Sequence, residues 1–258
     1  MLLAFPSVNE QQTIAQFLDH KTQQIDQLIA KKQTLIDKLN EQRIALITHA
    51  VTKGLNRAVT LKDSGVEWLE EVPEHWDIRR LKFAINIQNG RDYKNVEASE
   101  GYPVLGSGGV FRFATDYLYD GESVLFGRKG TIDKPLYINE KFWTVDTMFY
   151  SVILKGTDGK FLYFVAKVMQ FDWLATQTAL PSITQSDLGN YLIAFPPYEE
   201  QREIVEYLDK ETARIDRMVE LNQQTIDKLK EYRTALITAA VTGKIDVRKW
   251  RQTETKGV

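Results

Sequence analysis

Residues 37–52 read DKLNEQRIALITHAVT, and residues 227–242 read DKLKEYRTALITAAVT. The likeness extends without a gap from Ala4–Phe5–Pro6, lying on Ala194–Phe195–Pro196, to Thr52 lying on Thr242. Of the 53 positions from 4 to 56, 25 are identical to the residue 190 positions further on. Self-similarity of that extent marks a duplicated unit, and two copies separated by about 140 unrelated residues exclude a solenoid. The pattern is a pair of matching arms around an insert.

Each arm reads as a long helix. In the first, Leu18, Ile25, Leu39 and Leu46 fall on one seven-residue row, with Ile14, Leu28 and Leu35 on its neighbour. In the second, Leu208, Ile215, Leu229 and Leu236 mark the row, with Ile204 and Met218 beside it. Apolar residues at three-and-four spacing among Lys, Glu, Gln and Asp make a narrow coiled-coil seam. Lys32 and Asn222 interrupt that seam at the same repeat position. A polar residue there either fixes register and partner or snorkels from the seam edge. Pro6 and Pro196–Pro197 precede the helices, Asn9 with Gln12 resembles a capping box, and Gly54 and Gly243 are the expected stops. About 43 helical residues span roughly 65 Å at 1.5 Å per residue. Neither helix can bury its stripe alone, so the arms are expected to pair antiparallel with each other or with those of a second chain.

Composition is that of an ordinary globular protein, with 43% hydrophobic and 26% charged residues. No apolar run is long enough to span a bilayer, and the N-terminus lacks the basic region of a signal peptide, so no membrane partner and a cytoplasmic location are expected. The absence of cysteine excludes disulfides and thiolate chemistry, and the three scattered histidines (His20, His49, His75) make no metal site. A net charge of −2 argues against non-specific coating of nucleic acid but permits a locally basic reading surface.

After Asn56, Gly, aromatic and β-branched residues increase. YPVLG, SVLFG, PLYIN and FWTVDTMFYSVIL, between Tyr102 and Leu154, read as strands separated by turns. Residues 160–176 read as helix, and the following segment as a loop and a last strand. Trp68, Trp76, Trp143 and Trp173 are expected in the core. The fold class is therefore α+β: a mixed α/β globule flanked by two long helices pairing as an antiparallel coiled coil. The divisions are a first helix in 1–56, a globular domain in 57–195, a second helix in 196–248 and a tail in 249–258.

No catalytic centre emerges. FPPY at 195–198 resembles the tetrad of adenine amino-methyltransferases, but its first residue must accept a hydrogen bond and Phe195 cannot. No glycine-rich strand–turn–helix suited to a nucleotide cofactor precedes it. GSGG (106–109) and GRKG (127–130) lack the spacing of a phosphate-binding loop and fit tight turns. Asp146 reads equally as a buried hydrogen-bonding carboxylate or a base, and no acidic cluster suited to a nuclease metal is found.

The insert carries KDSGVEWLEEVPEHWDIRRLK (62–82), NGRDYKNV, YPVLGSGGVFRF, SVLFGRKGTIDKPLYINEKFWTVDTMFYS and LPSITQSDLGNYLIAFPPYEEQREI. With the duplicated helices, these stretches resemble the specificity subunit of type I restriction–modification enzymes over nearly the whole chain. The resemblance implies recognition of double-stranded DNA by a target recognition domain, with no chemistry in the subunit itself. It implies docking to methyltransferase subunits and, through the complex, to restriction subunits. S-adenosylmethionine, ATP and Mg are then implied for those partners, with no cofactor on this chain. A full-length member has two recognition domains, each followed by a helix. This chain resembles helix, second recognition domain, helix, so it would read a half-site, or a symmetric site as a homodimer. The rival reading is a coiled-coil adaptor binding protein instead of DNA, with an autonomous enzyme as a distant third.

Within the insert, Arg128, Lys129 and Lys134 flank a turn and suit phosphate or a guanine edge. Ser107 and Arg112 bracket the Gly106–Gly109 turn, where backbone amides can approach a phosphate. Ser182, Thr184 and Gln185 are compact hydrogen-bonding residues on a loop, and Gln reads adenine bidentately, although a turn capping a short helix explains them as well. Arg91 and Lys94, beside Gly90 in NGRDYK, form a further candidate loop.

Overall fold

A computed structural model of the chain describes residues 6–176 and 179–250. The first two residues of the repeat match, Ala4 and Phe5, and the end of the expected tail, 251–258, lie outside them. Two compact units emerge: one from the first 42 residues with those after Glu211, the other from Arg43–Glu211. Helix and unit do not share their boundaries. The last turns of the first helix and the first turns of the second belong to the globular unit.

Helix α1 runs over Val8–Lys53 and helix α4 over Tyr198–Val241. Ser7, not Asn9, starts α1. Its backbone amide donates to Glu10 Oε2 at 3.1 Å and its hydroxyl accepts from the Glu10 amide at 3.4 Å, a reciprocal box. The bond from the Ser7 amide and, after it, one from the Ser7 hydroxyl to Glu10 Oε2 at 2.9 Å lower the Glu10 carboxyl below its ordinary pKa. Gly54 and Gly243 end the helices at φ +74° and +70°, a backbone region open to glycine.

In the helical unit the two segments pair antiparallel. The Arg233 guanidinium grips Asp26 through two bonds of 2.9 and 3.2 Å, and the first turns of α1 line one cavity with residues 240–248. Ile25, Ile36, Leu39, Ile215, Ile226 and Ala240 are buried, and Leu18, Met218, Leu229 and Leu236 are half-buried. Leu28 and Leu35, expected on the seam, are each 42% exposed. The partner row to Ile25 lies four residues on, through Ile29 and Ile36, not three residues on through Leu28. A seam alternates four and three, so the choice of first step moves the row to the other side of the stripe. Asn222 spends its amide on the Met218 carbonyl of its own helix at 2.7 Å, and Lys32 is half-buried. Local bonding within its own helix describes Asn222.

In the globular unit, strands are β1 (Leu61–Asp63), β2 (Glu71–Pro73), β3 (Asp77–Arg80), β4 (Ile85–Asn89), β5 (Glu97–Ala98), β6 (Tyr102–Gly106), β7 (Gly109–Ala114), β8 (Tyr119–Gly127), β9 (Leu136–Thr144), β10 (Met148–Ile153) and β11 (Leu192–Phe195). Short helices are α2 (Gly159–Val168) and α3 (Gln185–Asn190). A seven-stranded mixed sheet has the order β4-β10-β8-β9-β6-β7-β5, in which β6 runs parallel to β9; β1–β2 and β11–β3 are separate antiparallel pairs. FWTVDTMFYSVIL is two strands, because Val145–Thr147 turns between β9 and β10. The helix expected over 160–176 stops at Val168, and a single 3-10 turn follows at Phe171–Trp173.

The main core joins α2, the sheet face and the two long helices. Phe126, Phe149, Phe161, Leu162 and Trp76 pack with Ile47, Ala50, Val51, Ile204 and Leu208, and Leu46 lies against them. Polar contacts tie α4 in. Glu200 accepts from Trp76 Nε1 at 3.0 Å, and its other bond joins His75 at 2.9 Å. Buried Gln201 accepts from the Asp158 amide at 2.8 Å and donates to the Gly156 and Pro196 carbonyls. Lys160 meets Asp209 at 2.7 Å. Trp76 and Trp143 are buried and Trp68 is half-buried, but Trp173 is 57% exposed and outside the core.

Candidate DNA-reading surface

The turn between β9 and β10 organises one end of the large sheet. The Arg91 amide donates to the Thr144 carbonyl at 2.9 Å, and Trp143 Nε1 donates to the Arg91 carbonyl at 2.9 Å. The Gly90 amide reaches the Met148 carbonyl at 3.0 Å. A Cβ on Gly90 would sit 2.0 Å from the Val145 carbonyl oxygen, so only glycine lets this loop lie against the turn. From the other side, the Arg128 amide donates to the Thr147 carbonyl at 2.8 Å. Gly127 makes the Arg128–Thr131 turn possible, since its Cβ would meet the Thr131 carbonyl at 2.1 Å.

That turn is joined to the loop before α3. The Ile183 amide donates to the Arg128 carbonyl at 3.0 Å, the Gly130 amide to the Pro181 carbonyl at 2.9 Å, and Lys129 bridges Ser182 in the backbone. Five of the ten sequence candidates, Arg128, Lys129, Ser182, Thr184 and Gln185, thereby line one cleft of about 320 Å3 with Asn89. Among the described residues no carboxylate side chain lines it. The Arg128 guanidinium lies 5.7 Å from the Phe149 ring centre and makes one long bond, 3.4 Å, to the Asp146 carbonyl. A guanidinium has five N–H donors, so most of Arg128's remain for a ligand. Asp146 itself is exposed, not the buried carboxylate that was one of its two readings.

Several candidates are spent on structure. Thr184 caps α3, its hydroxyl accepting from the Asp187 amide at 3.1 Å and donating to the Asp187 carboxylate at 2.5 Å. Gln185 gives its amide to the Ile87 carbonyl at 2.6 Å, holding α3 on the edge strand β4. The Ser182 hydroxyl sits 3.0 Å from that of Thr176. Arg112 on β7 pairs with Glu97 at 3.1 Å and with the Phe111 carbonyl at 3.0 Å. Ser107 occupies the β6–β7 turn, Lys94 opens a 3-10 turn at Lys94–Val96, and Lys134 lies exposed on the loop before β9, outside the cleft. Asn89 went unnoticed in the sequence. Its signal was its place in NGRDYK, one residue before the glycine that fixes the loop.

No group of acidic or histidine side chains suited to a metal ion occurs among the described residues, and none of their helices is long and apolar enough to cross a membrane. Residues 73–231 match the family of type I restriction modification DNA specificity domains, and the chain belongs to that family. Relatives extend the likeness beyond the matched segment. The specificity subunit of the type I restriction enzyme MjaVIII of Methanocaldococcus jannaschii is 24% identical over 281 aligned positions, covering 95% of this chain and 62% of the relative. Two solved structures share the fold over 93% of this chain. A chain from a type I restriction–modification complex matches with a TM-score of 0.77, 17% identity and 61% of its length covered. The specificity subunit HsdS from Thermoanaerobacter tengcongensis matches with a TM-score of 0.59, 16% identity and 60% coverage. The chain thus spans about three-fifths of the relatives it matches.

Proposed function

We propose that the globular unit is a target recognition domain that reads one half of a bipartite duplex DNA site for a type I restriction–modification complex. The observation that carries this reading is the convergence of Arg128, Lys129 and Asn89 in one cleft without a carboxylate, with Arg91 held on the same β9–β10 turn. Arg suits the guanine edge and Asn the adenine edge in the major groove, and lysine adds phosphate attraction. The chain supplies recognition, while methyl transfer with S-adenosylmethionine, and cleavage with ATP and Mg, belong to partner subunits that assemble with it.

The repeat supports a second recognition domain in the working assembly. Glu200, Gln201 and Asp209 hold this recognition domain, and Glu10, Gln11 and Asp19 are the same residues 190 positions earlier. A second copy of the chain, or a further recognition domain in the polypeptide, would use them. Sedimentation of the chain with its methyltransferase subunit, which gives the copy number, separates these two.

The function is tested by co-expressing the chain with that subunit and mapping adenine methylation across the host genome. Wild-type chain is expected to direct methylation to one sequence motif. Arg128→Ala is expected to abolish methylation or relax the motif at one position, at about 1–3 kcal/mol of lost discrimination. An unaltered motif at unaltered occupancy in the Arg128→Ala and Asn89→Ala variants would sink the assignment of this cleft.

A further inference from the structure

The reading cleft shares Gln185 with a second cleft along β4 and α3, a third cleft lies over β3 and β11, and among the described residues none of the three has a carboxylate in its lining. Gln185 belongs to both the first cleft and the second, which runs beside β4 past Asn86 to Lys82 and Asn190. Phe83, the next residue after Lys82, lines the third cleft together with Arg79 and Arg80. Five cations therefore line three neighbouring clefts whose linings hold no acidic side chain among the described residues, in a chain holding 35 acidic and 33 basic residues; the exposed Asp77 lies beside the third. Arg79 is taken up by Asp77 at 2.6 Å and by the Phe195 ring. Among the described residues Lys82 makes one hydrogen bond, to Asn190 Oδ1 at 3.0 Å, and lies 5.6 Å from the Phe83 ring centre, while its ammonium has three donors. Arg80 is exposed. Between the cations the walls offer amides and a hydroxyl, from Asn86, Gln185, Ser186 and Asn190.

We propose that this surface carries the sugar–phosphate backbone of the same duplex away from the reading cleft, with Lys82 and Arg80 as phosphate contacts. The inference rests on the recognition reading above and adds to it a contact indifferent to sequence. The five residues of β4 span about 17 Å at roughly 3.4 Å each, which matches about five nucleotides of one strand at 3.4 Å of rise. The third cleft exposes Phe83, at 62%, the kind of apolar group a protein partner would use as an anchor, whereas phosphate would use the cations of all three clefts and the amides of the first two.

The experiment uses the chain assembled with its methyltransferase subunit and measures affinity against salt for a cognate and a scrambled duplex. In the Arg80→Gln/Lys82→Gln variant, both affinities should fall by the same factor, and the slope of log affinity against log salt should shrink by about two, roughly 0.9 for each lost phosphate contact. Arg128→Gln should instead reduce the ratio of cognate to scrambled affinity. If the double variant keeps the wild-type slope while Arg128→Gln loses discrimination, the backbone track is wrong and the reading cleft stands. If neither variant changes anything, both readings fall. If the double variant keeps the slope but releases the methyltransferase subunit, the surface is a protein interface and the proposal is overturned.

Discussion

Tyr191 follows α3 and ties the loop side of the reading end to the core. Its ring packs 5.4 Å from that of Trp68, its hydroxyl accepts from the Gln170 amide at 3.2 Å, and its carbonyl accepts from the Leu81 amide. Burial pushes the phenol up from 10 to about 12, and the Gln170 bond opposes that shift only in part. In the unfolded chain the same phenol ionises near 10, so its contribution to stability is complete below pH 10 and is lost as pH rises from 10 through about 12. Tyr191→Phe is therefore expected to flatten the alkaline decline of stability over that window. At neutral pH it should cost about 1 kcal/mol for the lost hydrogen bond. Denaturant unfolding at a series of pH values checks both, and an unchanged alkaline slope would refute the assignment. A second phenol, Tyr137, is also raised, by burial and then by its bond to Glu122, so some slope persists in the variant. At this scale the sequence showed which side chains can bond but not where the bonds go. Gln185 has the right chemistry to read adenine, yet its amide is claimed by Ile87, 98 positions away. Arg112 is likewise claimed by Glu97 across β5 and β7. Arg128 stood out for its charge beside a glycine turn, and it keeps its donors because the packing around it supplies only a ring face and one distant carbonyl.

Elements were more legible than contacts, because period is written in consecutive residues. The long helices, their proline starts and their glycine stops follow from local chemistry alone, as do β6 and the tight turn at Gly106–Gly109, whereas β7 beyond it was not read as a strand. What the period left open was the side of the stripe that is buried. Leu28 and Ile36 are both apolar and both near the seam, but Leu28 is exposed and Ile36 is 6% exposed. Truncating Ile36 removes buried methyl groups and leaves a cavity, at about 2–4 kcal/mol for Ile36→Ala. Leu28→Ser and Leu35→Ser change surface positions and should stay within about 0.5 kcal/mol. Thermal unfolding followed by helical circular dichroism distinguishes the two rows, and a large loss in Leu28→Ser with little in Ile36→Ala would reverse the register. The short helix α3 was legible only through its cap, as the alternative to a reading loop at residues 182–185, and not through its period. Six residues carry too little period, and α3 depends on the Thr184 cap and on Gln185's grip on β4.

For the whole molecule, the duplication is a record of equivalent surfaces in unequal surroundings. Gln201 and Gln11 occupy one repeat position, as do Ile204 and Ile14, and Leu208 and Leu18. Gln201, Ile204 and Leu208 are fully buried against the recognition domain. Gln11 is exposed and donates only to the Pro6 carbonyl among the described residues, while Ile14 and Leu18 are half-buried. Chemistry that is identical in two places therefore has different energetic weight. Gln201→Ala would leave the Asp158 amide and two carbonyls without their partner in a buried site. That should cost about 2–3 kcal/mol, or roughly 5–10 °C of thermal midpoint in a protein of this size. Gln11→Ala should move the midpoint of the chain alone by less than about 2 °C. The comparison becomes informative when the chain is assembled with its methyltransferase subunit. If a second recognition domain engages the start of α1 as this one engages the start of α4, Gln11→Ala acquires a cost there and lowers the yield of assembled complex. If it stays silent in the assembly while Gln201→Ala remains damaging, the residues of the first copy hold nothing, and the repeat records ancestry without a present contact.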